Sequence, residues 1–469
     1  MPTQSQYNIS KQNTRNLDIK IYLLNYKFQI VDELSGVTTS YPTFSNNSTS
    51  DIRRTCNISF VLKDTSFSIE EGNKIWLDKY LNIYIGVKES RTQEIVWNNM
   101  GIYIINSPNQ SYNATDNTIS IQGVDLMAKM TGLRNGQLSG ITYTIKQNSN
   151  ARNAIISTIA LAGFTKYIIE DLPISIPYDI NVDRGGTVYD ILKQINEIYP
   201  NYQMYFDVDG VFHFEKIPSG YNEQIMIDDD LWNNNLIAYS KSTNFEDVKN
   251  VIEVYGKAHD VDNYGGTATV SGNTYNITVA DLTELLDGLL FGFTTTSSIY
   301  QPQLKINNFS SYPIKNEDGT YPTLSSSETY YCVIYKKSER YYKFLGELEP
   351  SAILKDENPE SPFYVNGKLG EIRKIFSGEE YDNINSDYLA KIRAKYELYN
   401  YCKLQDSINL TVVPIYWLDV NCVIRITLPN KNGKEETNLY IIKNISTDGG
   451  VNGTQTISCM RYYPLYPSI

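Results

Sequence analysis

Residues 183–200 read DRGGTVYDILKQINEIYP, and residues 204–214 read MYFDVDGVFHF. In the first segment Thr187 precedes Asp190 by three residues, a weak capping box, and apolar residues then recur on one helical face. In the second segment alternating apolar residues flank an Asp-Gly dipeptide that favours a tight hairpin turn. The two segments together predict a helix followed by a β-hairpin, at the centre of a compact α/β unit.

The sequence before this unit has the pattern of β-strands. Apolar residues alternate with polar or small ones over residues 81–87, and shorter alternating runs precede and follow them. Several short strands at this spacing predict a barrel or a sandwich. Residues 155–162 then change to helical spacing, which predicts a short helix ending near Gly163.

After the hairpin the predicted elements are more widely separated. The apolar residues predict a strand at 250–255, a helix beginning after Ser386, and closing strands at 408–412, 423–428 and 439–442. Leucines between positions 282 and 290 predict a further helix that Thr278 caps. Residues 309–366 contain many Ser, Pro, Gly and charged residues, so we predict an exposed, loop-rich insertion there.

Length and charge limit the classes of protein that fit. A chain of 469 residues exceeds what one hydrophobic core usually serves, which indicates two to four domains. The formal net charge is -12, and no basic run is present that could neutralise consecutive phosphates. This argues against tight wrapping of nucleic acid, although an acidic wall could line a channel for DNA because like charge keeps the polymer off the surface.

No segment predicts contact with the secretory pathway or a membrane. The first 16 residues are polar, and no apolar run reaches the roughly 20 residues needed to span a bilayer. The five cysteines (Cys56, Cys332, Cys402, Cys422 and Cys459) are odd in number and form no CxxC motif, so we interpret them as reduced thiols. We expect no integral membrane segment and assembly in the cytoplasm.

Catalytic and metal-binding patterns are weak. The chain has two histidines, His213 and His259, too few for most zinc sites. His213 alternates with two phenylalanines in the predicted hairpin, so we expect it on the opposite face in a structural role. The segments Arg184–Gly186, Asp207–Gly210 and Asp228–Asp230 resemble parts of phosphate, calcium and metal sites respectively, but each lacks the rest of its motif and is better explained as a turn.

The sequence also lacks nucleophile elbows, HExxH motifs and a recognisable pair of catalytic carboxylates. We therefore predict that the protein is not an enzyme and has no catalytic, cofactor-binding or metal-binding residues and no cofactor. The 39 tyrosines indicate either a surface for sugars or proteins, or simply a β-rich chain. Arg53, Trp97 and Trp417 are our candidates for interface anchors, and core packing explains each equally well.

The order of these segments resembles that of phage tail hub proteins, the baseplate hub family of phages and phage-tail-like particles. The helix-and-hairpin unit resembles the family's unit at residues 183–192 and 205–212. The other resembling segments are 52–60 and 119–127 near the start, 248–256 after the hairpin, and 410–414, 417–420, 440–442 and 461–464 near the end. The segment from about His259 to Asn366 has no counterpart.

The resemblance implies an α+β fold that is mostly β, with two tube-like β-barrel or sandwich domains. It places the first tube-like domain at 1–140, an α/β domain at 141–234, the second tube-like domain at 235–258 plus 395–469, and a loop-rich mixed insertion at 259–394. Three chains would then form a pseudo-sixfold ring that joins a sixfold tail tube to a threefold spike.

The partners that the resemblance implies are a homotrimer, a tail tube or distal tail ring protein, and a spike or tail tip protein. DNA would only pass through the lumen, and the protein would reside in the virion tail after assembly in the host bacterial cytoplasm. Any activity that degrades cell wall would belong to another protein. The alternative hypotheses are a receptor- or carbohydrate-binding tail adhesin and, with least support, a wall hydrolase.

Overall fold

The protein divides into two compact units. The computed structural model describes residues 2–12, 14–112, 117–140, 142–227, 229–429 and 433–463. The first unit contains the described parts of Met1–Asn244 and Gln405–Leu465, and the second contains Phe245–Leu404. Within the described ranges, no helix has both the length and the apolar character needed to cross a bilayer. The predicted fold class, α+β and mostly β, is confirmed.

The first unit begins with a short helix and then a group of seven strands, residues 17–124, which we call the first β module. Its elements are α1 (Gln4–Ser10), β1 (Leu17–Leu24), β2 (Ile30–Glu33), β3 (Thr43–Asn47), β4 (Arg54–Val61), β5 (Tyr80–Lys88), β6 (Ile95–Tyr112) and β7 (Asn117–Val124). Every second side chain of β4 from Arg54 to Phe60 is buried, which is the period of a strand with one face on a core. The predicted strand at 81–87 is confirmed as β5.

The chain continues into a group of short strands and two helices, residues 143–216, which we call the α/β module. These elements and the three that follow them are β8 (Tyr143–Ile145), α2 (Ala151–Leu161), β9 (Tyr167–Ile169), β10 (Ile180–Val182), α3 (Val188–Ile198), β11 (Tyr202–Phe206), β12 (Phe212–Lys216), β13 (Ile225–Ile227), α4 (Asp229–Asn235) and β14 (Leu236–Asn244). The predicted helices and hairpin are confirmed as α2, α3 and β11–β12. Their apolar faces share one core.

The second unit contains two sheets and one longer helix. Its elements are β15 (Val251–Tyr255), β16 (Asn263–Thr267), β17 (Thr269–Ser271), β18 (Thr274–Ile277), β19 (Leu290–Thr295), β20 (Gln303–Ile306), β21 (Tyr312–Lys315), β22 (Thr329–Lys336), β23 (Tyr341–Glu347), β24 (Ser351–Lys355), β25 (Arg373–Phe376) and α5 (Asp387–Tyr401). Strands β16 to β23 form an eight-stranded sheet, and β24-β15-β25 form a smaller one. As predicted, α5 begins after Ser386, whose hydroxyl accepts the Leu389 N–H at 3.4 Å. It packs on the smaller sheet.

The predicted helix over 278–290 is wrong, because this segment is an irregular connection between β18 and β19. Asp281 has a left-handed backbone with φ of 58°, which ends any regular helix, and Leu285 reaches the core of the larger sheet from the loop. Residues 309–366 are also more regular than predicted, since β21 to β24 lie within them. Buried tyrosines on those strands explain the order.

The chain returns to the first unit with four strands, β26 (Gln405–Val412), β27 (Val423–Pro429), β28 (Glu435–Asp448) and β29 (Gln455–Arg461). The predicted closing strands are thus confirmed. These four strands, with β13, α4 and β14, form what we call the second β module, with its own apolar core.

The two β modules order their strands alike. In the first, β3-β4-β7-β6-β5 lie side by side, and in the second β14-β26-β29-β28-β27 lie side by side. The equivalent strands β7 and β29 even share the sequence Thr-Ile-Ser, at 118–120 and 456–458. Strand β28 also pairs with β3, which joins both modules into one 13-stranded sheet. The first unit therefore contains one strand arrangement twice.

Changing Thr187 to Ala is expected to weaken α3. The Thr187 hydroxyl accepts the Asp190 N–H at 3.1 Å, and the Asp190 carboxylate accepts the Thr187 N–H at 2.7 Å. Losing such a cap lowers the free energy of unfolding by about 1 kcal/mol. All four tryptophans, Trp76, Trp97, Trp232 and Trp417, belong to the first unit, so tryptophan fluorescence in urea reports its unfolding.

The matched control for this change is Thr187→Ser, which keeps the accepting hydroxyl and should retain most of the stability. Equal losses in the Ala and Ser variants would contradict the capping role.

Candidate functional site: the buried junction between the two β modules

Arg54 lies where the two β modules and the α/β module meet. It begins β4 and its side chain points inward, with 4% of its surface exposed. One Nη forms an ion pair with the carboxylate of Asp419 in the second β module, and the other donates to the carbonyl of Phe206 in the hairpin. The Arg54 N–H donates to Asp125 Oδ2 at 2.8 Å. One residue thus connects three parts of the unit.

Electrostatics favour the charged form of this arginine. Burial alone lowers the pKa of Arg54, but the carboxylates of Asp419 and Asp125 outweigh burial and raise it. In the same way, burial raises the pKa of Asp419, yet Arg54 and Arg53 more than compensate and hold it below its usual value. Burial prevails at Asp125 and raises its pKa, although two backbone N–H groups donate to it. The ion pair is therefore Arg54 with Asp419.

A second group of contacts joins the hairpin to the same place. The Arg53 guanidinium lies 4.0 Å from the centre of the Tyr205 ring, a cation–π distance. Gln203 Oε1 accepts from Arg53 Nη2 and from Asn421 Nδ2, both at 2.6 Å. Arg53, directly before β4, thus binds the hairpin, while Asn421 of the second β module binds the same glutamine.

His213 lies on this face of the hairpin, opposite the buried Phe212 and Phe214, as the alternation predicts. Its ring stacks with Tyr205 at 4.8 Å between centroids. Its two ring nitrogens contact Asp207 Oδ2 at 3.1 Å and Glu215 Oε2 at 3.2 Å. Burial lowers the pKa of His213, but the two carboxylates outweigh it and raise the pKa to about 9. The imidazolium is therefore the stable form at neutral pH.

A cleft of about 570 Å³ adjoins the ion pair. Trp97 and Trp417, two of the three anchor candidates from the sequence, line it together with Arg54 and Asp419. The opening leaves 36% of the Asp419 side chain accessible, which moderates the cost of burying its charge. The Trp417 Nε1–H donates to Ser10 Oγ at 2.9 Å, so this ring also holds α1.

The remaining sequence candidates serve local structure. Asp207 Oδ1 accepts the Asp209 and Val211 N–H groups, both at 2.9 Å, which is a turn and not a calcium loop. The Arg184 Nε–H donates to the Gly140 carbonyl at 3.1 Å, in the turn before α3.

The acidic run at 228–230, the cysteines and His259 form no metal site among the described residues. Asp228 lies outside the described residues, and Asp229 and Asp230 begin α4. The five cysteines are free thiols, and His259 is half-buried in the second unit. Across the part of the chain that the structure describes, no group of three or more His, Cys, Asp or Glu side chains could hold a metal ion.

The ion pair of Arg54 with Asp419 was missed in the sequence. The sequence suggests Arg53 as an interface anchor but does not single out Arg54. A usable signal existed, because Cys56, Ile58 and Phe60 alternate with polar residues, and the same period carried back to position 54 places Arg54 on the core-facing side. The partner carried no such signal, since it lies 365 positions away.

Solved structures resemble this architecture along nearly its full length. The 43 kDa tail protein of prophage MuSo2 from Shewanella oneidensis aligns over 95% of this chain and 98% of its own, at 11% identity and a TM-score of 0.50. The tail protein from Neisseria meningitidis MC58 aligns over the same shares, at 9% identity and a TM-score of 0.50. The chain has the fold of a phage tail protein. The fold expected from the sequence resemblance is thereby confirmed.

Sequence comparisons add little to this likeness. A family model described as a domain of unknown function, DUF5048, matches residues 360–466. This match covers the end of the second unit and most of the second β module. No curated protein matches the chain.

Replacing Arg54 with Met is expected to lower the free energy of unfolding by about 2–3 kcal/mol, because it leaves the Asp419 carboxylate, which is partly open to the cleft, without its counter-ion. Urea unfolding followed by tryptophan fluorescence measures the loss. Combining Arg54→Met with Asp419→Asn should cost less than the sum of the single changes, because the unpaired charge is removed.

The matched control for Arg54 is Lys146→Met. This lysine pairs with Asp179 at 2.8 Å but is 75% exposed, so its loss should cost under about 0.5 kcal/mol. A similar cost at both positions would contradict the central role of Arg54.

His213 predicts a pH dependence of stability. Its folded pKa of about 9 exceeds the usual value near 6.5, so its contribution is fully present below pH 6.5 and is lost as the pH rises through 9. Solvent screens the partly exposed carboxylates of Asp207 and Glu215. We therefore expect the free energy of unfolding of wild type to exceed that of His213→Gln by about 1–2 kcal/mol at pH 6, and this difference should fall towards zero at pH 9.5.

The difference between the two proteins is the quantity to measure. Burial lowers the pKa of Lys443 to about 8, and this group titrates in the same range, but its effect is common to both and cancels. A difference that stays constant with pH would show that the imidazolium does not stabilise the hairpin.

Proposed function

We propose that this protein is a structural subunit of a phage tail or of a phage-tail-like particle, and that it acts there as the hub. The observation that carries this proposal is the repeated strand order in one chain, β3-β4-β7-β6-β5 and β14-β26-β29-β28-β27. The fold shared with two tail proteins supports the tail location.

A chain with two like β modules is suited to join a sixfold tail tube to a threefold spike. A chain with two like modules presents six of them when three copies form a ring, and one insertion per chain keeps the ring threefold. Such a ring offers six similar contacts to a tail tube and three to a spike or tip. The two β modules then correspond to the tube-like domains predicted at about 1–140 and at 235–258 with 395–469. Strand β15 and the end of α5 fall within the second of these predictions but belong to the second unit. The predicted α/β domain at 141–234 and insertion at 259–394 separate the two.

The junction around Arg54 and Asp419 fits this role. An adaptor transmits load between two rings, so its modules need a fixed mutual orientation, and a buried ion pair with directional hydrogen bonds supplies one. The net charge of -12 suits a lumen through which DNA passes without binding. The protein acts by assembly and not by catalysis, with a tube or distal ring protein on one side and a spike or tip protein on the other.

The mass of the purified chain in solution, from light scattering over a concentration series, tests the proposal. We expect a species of three times 53.5 kDa that persists on dilution into the micromolar range. A monomer at every concentration, with no binding to tail tube or spike proteins, would contradict the hub.

A tail adhesin is the second candidate. In the second unit Tyr300 is 83% exposed, and Tyr264 stacks with Tyr330 at 5.0 Å. Exposed aromatic rings are suited to sugars. Saturable binding of the full chain to purified bacterial cell walls, lost in Tyr300→Ala and kept in Tyr26→Ala, would favour this function. Tyr26 is a similarly exposed tyrosine of the first unit.

A further inference from the structure

Residues 2–12 lie across both β modules without joining the sheet. Helix α1 has seven residues, and within the described chain the backbone of this segment bonds to other backbone groups only inside the segment, as Tyr7 N–H does to the Thr3 carbonyl at 3.0 Å. An isolated helix needs about 12–15 residues to be even marginally stable in water. Helix α1 therefore forms because it packs on the rest of the first unit.

One set of contacts attaches the segment to the first β module. Ile9 is 2% exposed and packs in the apolar core of that module, and it is the only buried apolar side chain among residues 2–12. Gln6 Nε2 donates to Asn98 Oδ1 on β6 at 3.2 Å, and Gln12 Nε2 donates to the Lys88 carbonyl at the end of β5 at 3.3 Å. A single isoleucine thus provides most of the apolar burial on this side.

A second set of contacts attaches the same segment to the second β module. The Trp417 Nε1–H donates to Ser10 Oγ at 2.9 Å, and Asn235 Nδ2 at the end of α4 donates to the Ser10 carbonyl at 2.8 Å. The Tyr7 ring lies 6.5 Å from the Trp417 ring, centre to centre. Ser10 thus binds the second module, while its neighbour Ile9 is buried in the first.

Arg15 binds the end of this segment without a counter-ion. Its guanidinium donates to the carbonyls of Ser10 and Pro414 and to Asn235 Oδ1, and among the described residues no carboxylate pairs with it. Burial lowers the pKa of Arg15, and the nearby Tyr416 offsets this only in part. The cost of burying a charge without a counter-ion opposes the docking of the segment. Neutral acceptors and one buried isoleucine therefore hold it in place.

The segment also forms part of the wall of the cleft at the junction. Pro2 and Gln6 line this cleft together with Asn98 and Trp417. If the segment leaves, the amide oxygen of Asn98 loses Gln6 and the indole N–H of Trp417 loses Ser10. Both polar groups then become available on the side of the cleft that α1 had covered.

We propose that residues 2–12 act as a clasp, which closes over the junction of the two β modules and opens as one piece while the 13-stranded sheet stays folded. Local opening occurs where few apolar contacts and few backbone hydrogen bonds connect a segment to the rest. The closed clasp connects the modules separately from the ion pair of Arg54 with Asp419, and the open clasp widens the cleft. All parts of this device lie in one chain, so it does not depend on the proposed hub function.

Hydrogen exchange of the full chain, measured by mass spectrometry, tests the clasp. Peptides covering residues 2–12 should exchange about tenfold faster or more than peptides covering β26, because α1 opens without the sheet. Ile9→Ala removes the buried apolar side chain of the clasp and should speed exchange at 2–12 by a further factor of about ten or more. Exchange in β26 should stay unchanged.

The matched control is Ile58→Ala. Ile58 is 3% exposed in the same apolar core but belongs to β4, so its loss should speed exchange in the sheet and leave residues 2–12 near the wild-type rate. Gln6→Ala removes the bond to Asn98 and half of the capping box of α1, and it should also speed exchange at 2–12. It provides a second variant should Ile9→Ala disturb folding.

Two results would overturn the clasp. One is exchange at residues 2–12 as slow as in β26, and the other is an equal acceleration at 2–12 by Ile9→Ala and Ile58→Ala. Either would mean that α1 opens only when the first unit unfolds.

Acrylamide quenching of tryptophan fluorescence measures the effect on the cleft. Trp97 and Trp417 line it, so Ile9→Ala should give stronger quenching than wild type, and Ile58→Ala should not. Unchanged quenching in a variant that exchanges faster at residues 2–12 would overturn the claim that the open clasp widens the cleft.

Discussion

Arg54 sets the main constraint on the first unit. Its charge cannot be left in the interior without a counter-ion, and that counter-ion comes from Asp419 in a different module. The backbone of the same residue binds Asp125, and its side chain binds the hairpin at Phe206. Apolar packing alone would permit the modules several orientations, whereas charged hydrogen bonds have a narrow geometry. The junction therefore fixes the relative orientation of the two β modules more than it raises the free energy of unfolding.

That orientation permits the continuous sheet. The second half of β28 aligns with β3 only when the modules hold one relative position, and Asn46 of β3 donates to Asp419 at 2.6 Å. A residue of the ion pair thus binds a residue of the strand joint. This coupling explains why the two β modules form one continuous sheet and are not two independent domains joined by a linker.

Local features of the fold were predictable from sequence because their causes are local. The period of residues 81–87, the cap at Thr187 and the Asp-Gly turn each determine an element within a few positions. The prediction of a helix at 278–290 was wrong, because the leucine spacing does not show that Asp281 adopts a left-handed backbone. It also does not show that Leu285 packs on the larger sheet of the second unit.

Features that depend on distant pairing were not predictable. The pairing of β28 with β3 and the ion pair of Arg54 with Asp419 each join residues several hundred positions apart, and no periodicity records such a partner. The resemblance to tail hub proteins supplied two β domains but no strand register. In a single sequence, only the position of Arg54 in the alternation with Cys56, Ile58 and Phe60 indicated that a buried charge had to be matched elsewhere.

The second unit is inserted between two adjacent strands of the first. The chain departs after Asn244 and returns at Gln405, and these two residues face each other in adjacent antiparallel strands. A short turn would close the same gap, so the inserted segment can be lost, replaced or enlarged without altering the register of the modules. A chain with the same two β modules can therefore carry a different segment at this position, while the 13-stranded sheet keeps its register.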